Sequence, residues 1–145
     1  MGHSYGVETM KLKLRGRVRR GIEESANFTQ LPWVRAQFIE KLGIDPYPGT
    51  LNLEVREEDL KKLALLREGK GVEIAPQEAG FCAAIGFPAV VGGKVKAAVI
   101  IPCVNDYPGN KLELISAARV RDALALAEGD VVEVEVLLPA PPHKS

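Results

Sequence analysis

Short apolar runs alternate along the chain with polar segments. Near the start, Leu12, Leu14 and Gly16 alternate with basic residues. This spacing predicts a strand over about residues 11–18, because successive side chains of a strand point to opposite faces. The stretch that follows, residues 19–30, is polar and carries no predicted element.

Helical spacing appears in three places. Apolar residues four positions apart predict a helix over residues 33–42, which Gly43 ends as a left-handed C-cap. A second helix is predicted over residues 57–68, with leucines on one side. Ser116 has the side chain of an N-cap and predicts a short helix that reaches about residue 123.

The other apolar runs are short and predict strands, with a tight hairpin at Gly92-Gly93. They cover about residues 51–55, 72–74, 81–87, 89–91, 95–101, 112–115 and 131–138. A mainly β fold follows, with two or three short helices. Closure into a small barrel is the expected architecture, because a closed sheet has no exposed edge.

Composition narrows the classes of protein. Hydrophobic residues make up 46% and charged residues 26%, an ordinary globular balance, and 19 basic residues equal 19 acidic ones. No bulk charge therefore favours nucleic acid or a membrane surface. The basic residues between positions 11 and 20 form either a solvated strand face or a site for an anionic ligand such as a nucleotide.

Other features point to a cytoplasmic protein with small-molecule partners, no nucleic acid and no membrane, as a monomer or weak homo-oligomer. No apolar run approaches the ~20 residues of a membrane span. Cys82 and Cys103 predict free, mostly buried thiols and no disulfide scaffold. We expect residues 1–9 to be an expression leader, 10–138 a single domain and 139–145 a disordered proline-rich tail.

The turn over residues 46–52, Pro-Tyr-Pro-Gly-Thr-Leu-Asn, carries the most chemical information. Its prolines fix the backbone, and Gly49 permits a conformation that other residues avoid. Thr50 and Asn52 lie two positions apart and face the same side of a strand, where their oxygens suit magnesium. The alternative is a well-made turn in which Asn52 binds only local backbone groups.

This turn resembles a family signature. Residues 42–53 are similar to the Leu-Gly-Phe-x-Pro-Tyr-x-Gly-Thr-Leu-Asn stretch of the CTP-dependent riboflavin kinases of archaea. The other matching pieces, in chain order, are a first strand ending near Gly21, the helix holding Phe38, Gly80-Phe81, residues 99–102, Glu113 in an apolar strand, Val120-Arg121 and residues 126–130. The resemblance spans about residues 11–138.

The resemblance implies a six-stranded cradle-loop barrel. It also implies transfer of the terminal phosphate of CTP to the 5′-hydroxyl of riboflavin, giving FMN and CDP. By this resemblance Thr50 and Asn52 hold Mg²⁺, and Glu113 lies near the acceptor hydroxyl as a positioning group or weak base. Residues implied for substrate and nucleotide binding are Gly21, Ile22, Glu23, Tyr47, Gly49, Asn105 and Tyr107.

Two segments depart from the family pattern. The glycine-rich loop, Gly-x-Gly-x-Gly, is here Gly-Ile-Glu-Glu-Ser over residues 21–25, so only Gly21 remains. Carboxylates close to a triphosphate repel it by about 1 kcal/mol per pair in water. The second nucleotide segment, residues 102–110, offers Asn105 and Tyr107 but also Asp106, and no positive charge.

Three interpretations follow from these departures. The chain is a kinase that holds its nucleotide differently, through Arg19, Arg20 or Lys111. Alternatively, it takes another ligand or phosphate donor, or it is a binding barrel without catalysis. For Trp33 and Tyr47 two roles stay open, namely stacking on a flavin ring or base and simple packing.

Overall fold

The computed structural model of the chain describes residues 9–21 and 24–139, with only the backbone of residues 24–26. In chain order the elements are strand β1 (Thr9–Arg19), helices α1 (Glu24–Gln30) and α2 (Pro32–Gln37), strand β2 (Leu51–Val55), helix α3 (Leu60–Glu68), strands β3 (Val72–Ile74), β4 (Ala84–Val91), β5 (Val95–Pro102) and β6 (Lys111–Ile115), helix α4 (Val120–Ala123) and strand β7 (Val131–Pro139). A π-helical turn, Phe38–Leu42, extends α2, and a 3-10 turn, Glu57–Asp59, precedes α3.

Six of the strands close into an antiparallel barrel. Their order is β4-β5-β6-β2-β1-β7, and pairing of β4 with β7 completes the ring. Among the described residues, the remaining strand, β3, pairs with the first part of β4 and with no other strand. The predicted mainly β barrel is therefore confirmed.

The inside of the barrel is a continuous apolar core. Every second residue is buried in β7 and in β1 from Leu12 to Val18, and the residues in between are exposed or half-buried. Buried residues from all six barrel strands join Leu63 and Leu66 of α3 in one cluster. Alternation of apolar and polar residues along β1 and β7 has thus produced one dry face and one solvated face, as the spacing predicts.

A second apolar cluster lies on the outside of the barrel. Helix α2 and its π-helical extension place Val34 and Phe38 against outward-facing residues of β5, including Ala98 and Ile100. Gln37, which is buried, ties α2 to the end of β3 by two hydrogen bonds of 2.9 Å with the backbone of Ala75. This part of the outer surface is therefore covered, whereas the outward side chains of β1 from Lys11 to Arg17 are exposed.

Several local predictions are confirmed and others are wrong. Gly43 ends the extended α2 at φ +68°, as expected of a left-handed C-cap. Helix α1, in contrast, falls in a stretch for which no element was predicted. The two apolar runs around Pro88 form one strand, β4, because both pair with β5 without a break. On the other edge of β4 the partner changes near Pro88, from β3 to β7. A residue without an N–H is tolerated at such a gap in the ladder.

Ser116 and the cysteines also differ from expectation. Ser116 does not cap α4, whose N-cap is Arg119 without a side-chain bond; its hydroxyl instead donates to the Lys96 carbonyl at 2.7 Å. Cys82 and Cys103 are free, as predicted, but both are exposed rather than buried, because they lie in loops next to β4 and β5.

The basic stretch of β1 forms a solvated strand face. The basic side chains of β1 are exposed, and Lys11, Lys13 and Arg15 lie 3.9–4.0 Å from glutamates of β7. Strands β1 and β7 pair as far as Thr9 and Pro139, one residue past each predicted domain boundary. The rest of the predicted leader and tail lies outside the described residues. Within the described part of the chain, no helix is long and apolar enough to cross a membrane.

Candidate active site

The predicted metal and catalytic residues meet on the outer face of the barrel. Asn52 of β2 lies directly across from Arg19 of β1 and from Glu113 of β6. Their neighbours Leu51 and Leu53 point into the barrel core, so the side chains of this row point outward. Strand pairing has thus brought together residues that are far apart in sequence.

Hydrogen bonds join three of these side chains. The Thr50 hydroxyl donates to Glu113 Oε1 at 3.2 Å. Asn52 Nδ2 donates to the Thr50 carbonyl at 3.0 Å and to Thr50 Oγ1 at 3.1 Å. Thr50 and Asn52 therefore share one side of the chain, as their two-residue spacing predicts.

The turn before Thr50 is held rigidly. Gly49 adopts φ +100°, a conformation that L-residues with side chains rarely take. Its N–H donates to Thr29 Oγ1 of α1 at 3.0 Å, and Gln30 Nε2 donates to the Pro46 carbonyl at 2.9 Å. The Tyr47 N–H donates to the Ser116 carbonyl at 2.8 Å. Helix α1 and the loop after β6 thus fix the position of Thr50.

Gly21 lies directly against Asn52. A Cβ atom built on Gly21 would be 2.1 Å from Asn52 Nδ2 and 3.0 Å from its Cγ. No side chain fits there unless the amide moves. This close approach favours a glycine at position 21.

The residues present fit a magnesium ion. Asn52 is only 5% exposed, and its Oδ1 is a buried acceptor with no hydrogen-bond partner among the described residues. The Thr50 hydroxyl donates to Glu113 and accepts from Asn52 Nδ2, which leaves one of its two lone pairs for a ligand. Amide and hydroxyl oxygens are ligands that Mg²⁺ accepts when water and phosphate complete the shell. In the described ranges no group of three or more His, Cys, Asp and Glu side chains offers a different metal site.

Two cavities open on either side of Thr50. The first, which we call the arginine-lined cavity, has a volume of about 230 Å³. It is lined by Gly21, Tyr47, Pro48, Gly49, Thr50, Leu51, Asn52, Leu114, Ser116, Ala118, Arg119, Val120 and Arg121. Its two arginines and its two glycine backbones make it a place where an anionic group can approach closely.

The second cavity is apolar and has a volume of about 440 Å³, within the range of small-molecule sites, about 300–1,000 Å³. It is lined by Asn27, Phe28, Thr29, Leu31, Phe38, Thr50, Phe81, Ile100, Pro102, Glu113 and Ile115. This apolar cavity lies between α1 and the outer face of β5 and β6. Its polar end is formed by Thr50 and Glu113.

The loop after β5 lies on the far side of Glu113. Asn105 and Tyr107 line neither of these cavities but a third one, together with Arg67 of α3. The Tyr107 hydroxyl donates to Glu113 Oε2 at 2.5 Å. Burial, together with this bond to the Glu113 carboxylate, raises the pKa of Tyr107 far above its usual range. The hydroxyl therefore stays protonated and acts as a permanent donor to Glu113.

The remaining predicted residues fall in different places. Ile22 and Glu23 lie outside the described residues. Arg19 contacts Glu54 at 2.9 Å and Glu128 at 3.7 Å, and it lines neither the arginine-lined nor the apolar cavity. Lys111 is 3.9 Å from Glu113.

Sequence reasoning missed several lining residues. Arg119 was not singled out, and Arg121 was noted only as part of a family match. Phe28 and Thr29 lie in α1, which lacked a recognisable period. Trp33 packs edge-on against Phe28 and Phe81, at 6.3 Å and 5.3 Å between ring centroids, and does not line the apolar cavity.

Comparisons with known proteins give a consistent result. The family model for CTP-dependent riboflavin kinases (CTP-dep_RFKase), described as a domain of unknown function, DUF120, matches residues 18–136. The chain is 39% identical over 130 residues to a riboflavin kinase of Archaeoglobus fulgidus. The aligned region covers 88% of this chain and 55% of that protein.

Shorter relatives are matched over nearly their whole length. A riboflavin kinase of Staphylothermus marinus is 36% identical over 128 residues, 86% of this chain and 92% of the relative. A riboflavin kinase of Sulfurisphaera tokodaii is 32% identical over 137 residues, 91% of this chain and 100% of the relative. The chain thus spans little more than half of some curated relatives and nearly all of others.

Proposed function

This chain belongs to the CTP-dependent riboflavin kinase family, and we propose that it transfers the terminal phosphate of CTP to the 5′-hydroxyl of riboflavin, giving FMN and CDP. The observation that carries the proposal is the position of Thr50, which lines both the arginine-lined and the apolar cavity. A kinase must hold its donor and acceptor on opposite sides of the phosphoryl group that moves, and the two cavities meet at one residue.

The arginine-lined cavity is the proposed site of the nucleotide phosphates. Arg119 and Arg121 supply positive charge, and the backbones at Gly21 and Gly49 leave room for close approach. Thr50 and Asn52 would hold Mg²⁺, which neutralises phosphate charge during phosphoryl transfer. Arg119 forms a salt bridge with Asp122, with 2.6 Å between the guanidinium and the carboxylate, so part of its charge is balanced in the free protein.

The apolar cavity is the proposed site of riboflavin. Phe28, Phe81 and the outward isoleucines of β5 and β6 present flat and aliphatic surfaces that suit a tricyclic aromatic ring. Thr50 and Glu113 form the polar end, to which the hydroxyl-bearing side chain of riboflavin would extend. This orientation brings the 5′-hydroxyl toward the place where the two cavities meet.

Glu113 is the proposed positioning group or weak base for that hydroxyl. Its two oxygens already accept hydrogen bonds from Thr50 and Tyr107, and each oxygen keeps a further lone pair. Accepting a bond from the 5′-hydroxyl would align its oxygen with the donor phosphate. Alignment and charge neutralisation carry most of phosphoryl transfer, so few further catalytic side chains are needed.

Chromatographic detection of FMN tests the function directly. The protein is incubated with riboflavin and either CTP or ATP, with Mg²⁺ or with excess chelator. The proposal expects FMN with CTP and Mg²⁺ and none with chelator. FMN formed only from ATP would overturn the choice of donor.

An absence of FMN with either donor would favour the binding-barrel interpretation, provided that the sample is folded. Riboflavin fluorescence would then measure binding without turnover. The Asn52→Ala variant tests the proposed ligand, because it removes the unpartnered carbonyl. Asn110→Ala is the matched control, since Asn110 is exposed and lines neither cavity of the site. Equal turnover by the two variants would contradict the role of Asn52.

A further inference from the structure

The loop between β5 and β6 contacts Glu113 through one tyrosine. Tyr107 donates its hydroxyl to Glu113 Oε2, and Glu113 Oε1 accepts from Thr50. Tyr107 itself lines neither the arginine-lined nor the apolar cavity. Direct contact of Tyr107 with nucleotide or substrate stays a prediction, and the contact with the site that the structure shows is the one with Glu113.

Two cations hold the tyrosine ring in place. The guanidinium of Arg67 and the ammonium of Lys111 each lie 5.5 Å from the ring centroid. Such distances are typical of cation–π contacts. Arg67 also donates to the carbonyl of Pro108, the next residue of the loop. The ring is thus fixed from α3 and from β6, independently of any ligand.

We propose that Tyr107 is a positioning residue that fixes the carboxylate of Glu113 for the acceptor hydroxyl, and that Arg67 fixes Tyr107 in turn. The inference rests on the proposed kinase function. A carboxylate at the end of a flexible side chain can rotate, but two hydroxyl donors, one on each oxygen, define a single orientation. The Thr50 donor comes from the turn and the Tyr107 donor from the loop, so the two sides of the site together determine where Glu113 points.

Charge supports the same arrangement. Lys111 Nζ is 3.9 Å from Glu113 Oε2, the oxygen that Tyr107 also contacts. The ammonium alone would leave the carboxylate free to swing, since an ion pair at this distance sets no direction. The short hydrogen bond from Tyr107 is directional and supplies the missing constraint.

The test is the Tyr107→Phe variant, which keeps the ring and its contacts with the two cations and removes only the hydroxyl. We expect kcat for FMN formation to fall by about 10–100-fold, the scale of a misplaced reacting group, with KM for riboflavin and CTP changed less than about threefold. Glu57→Gln is the control, because Glu57 is exposed and lines neither the arginine-lined nor the apolar cavity; its kcat should equal that of the wild type.

A double-mutant cycle separates positioning from structure. If Tyr107 acts only through Glu113, adding Tyr107→Phe to Glu113→Gln should cause little further loss. A wild-type kcat in Tyr107→Phe, a KM effect alone, or an additive loss in the double variant would each overturn the inference. In those outcomes the wild type still makes FMN and the proposed function stands. No FMN from the wild type would overturn both.

Discussion

The two halves of the barrel differ in their outer faces and share one interior. Strands β1 and β7 alternate buried apolar residues with exposed or half-buried ones, most of them charged, so their outer face is in contact with water. Strand β5 carries Ala97, Val99 and Ile101 inward and also Ala98 and Ile100 outward. Its outer face lies under the helices, and the candidate site lies beside it.

The difference between the two outer faces indicates where a ligand binds in this fold. An outer barrel face that is apolar must be covered, and α1 and α2 cover it incompletely. The remaining space is the apolar cavity, where Phe81 stays 38% exposed. Large exposed apolar side chains beside a cavity indicate ligand contact more than fold stability. The interior should therefore govern stability, and the covered outer face should govern activity.

The largest effect is expected from Leu14→Ala. Leu14 is fully buried in the barrel interior, so truncation should lower the free energy of unfolding by about 2–5 kcal/mol. Urea denaturation followed by circular dichroism measures this loss. The variant should keep wild-type kcat at temperatures where it is folded. Reduced turnover in a fully folded sample would contradict the inference that the barrel interior governs stability and not activity.

Gly21→Ala should act mainly on the site. The new methyl group would overlap the Asn52 amide, and displacing that amide should lower kcat by about 100-fold, or about 2.7 kcal/mol. Gly109→Ala is a matched control, because a Cβ there meets no atom within 4 Å. Steady-state FMN formation and thermal melts of both variants check the prediction. Equal activity would show that the contact with Asn52 is unimportant.

Phe81→Ala tests the covered outer face. The ring lines the apolar cavity and is 38% exposed, so its loss should raise KM for riboflavin by up to about 10-fold. The melting temperature should change much less than in Leu14→Ala. Val131→Ala on the solvated half removes a side chain of similar exposure, 46%, and should leave KM unchanged. A comparable rise in both variants would contradict the assignment of the cavity.

The smallest effect is expected from Asp45→Asn. The Arg35 guanidinium, which donates two hydrogen bonds of 2.7 and 2.8 Å, holds the pKa of Asp45 below its usual value. A folded pKa below the unfolded one stabilises the protein at pH values above the unfolded pKa. The contribution disappears as the pH falls through the folded pKa.

Because both side chains are exposed, screening keeps the effect of this pair small. At pH 7 the melting temperature of Asp45→Asn should lie within about 1–2 °C of the wild type. Calorimetric melts at pH 7 and pH 3 should show that this small difference shrinks in acid. A difference that grows in acid would have the wrong sign for the proposed pairing.

Sequence alone determined most of the barrel, because its signals are local. Alternation along β1 and β7, the Gly43 cap and the Gly92-Gly93 hairpin each depend on neighbouring residues. The spacing of Thr50 and Asn52 on one side of the chain is local in the same way. Helix α1 escaped recognition because its polar sequence carries no apolar period.

Only the tertiary structure decided how distant residues combine. Strand pairing places Glu113 across from Asn52, and loop packing places Tyr107 on Glu113. Neither arrangement follows from spacing, since it depends on the register between strands and on the path of a loop. The arginines that line the site come from the loop before α4 and from α4 itself, and the basic strand β1 instead faces solvent. The types of side chain needed for the site could thus be recognised in the sequence. Which charged residues lie together in the site depends on strand pairing and loop packing in the closed barrel.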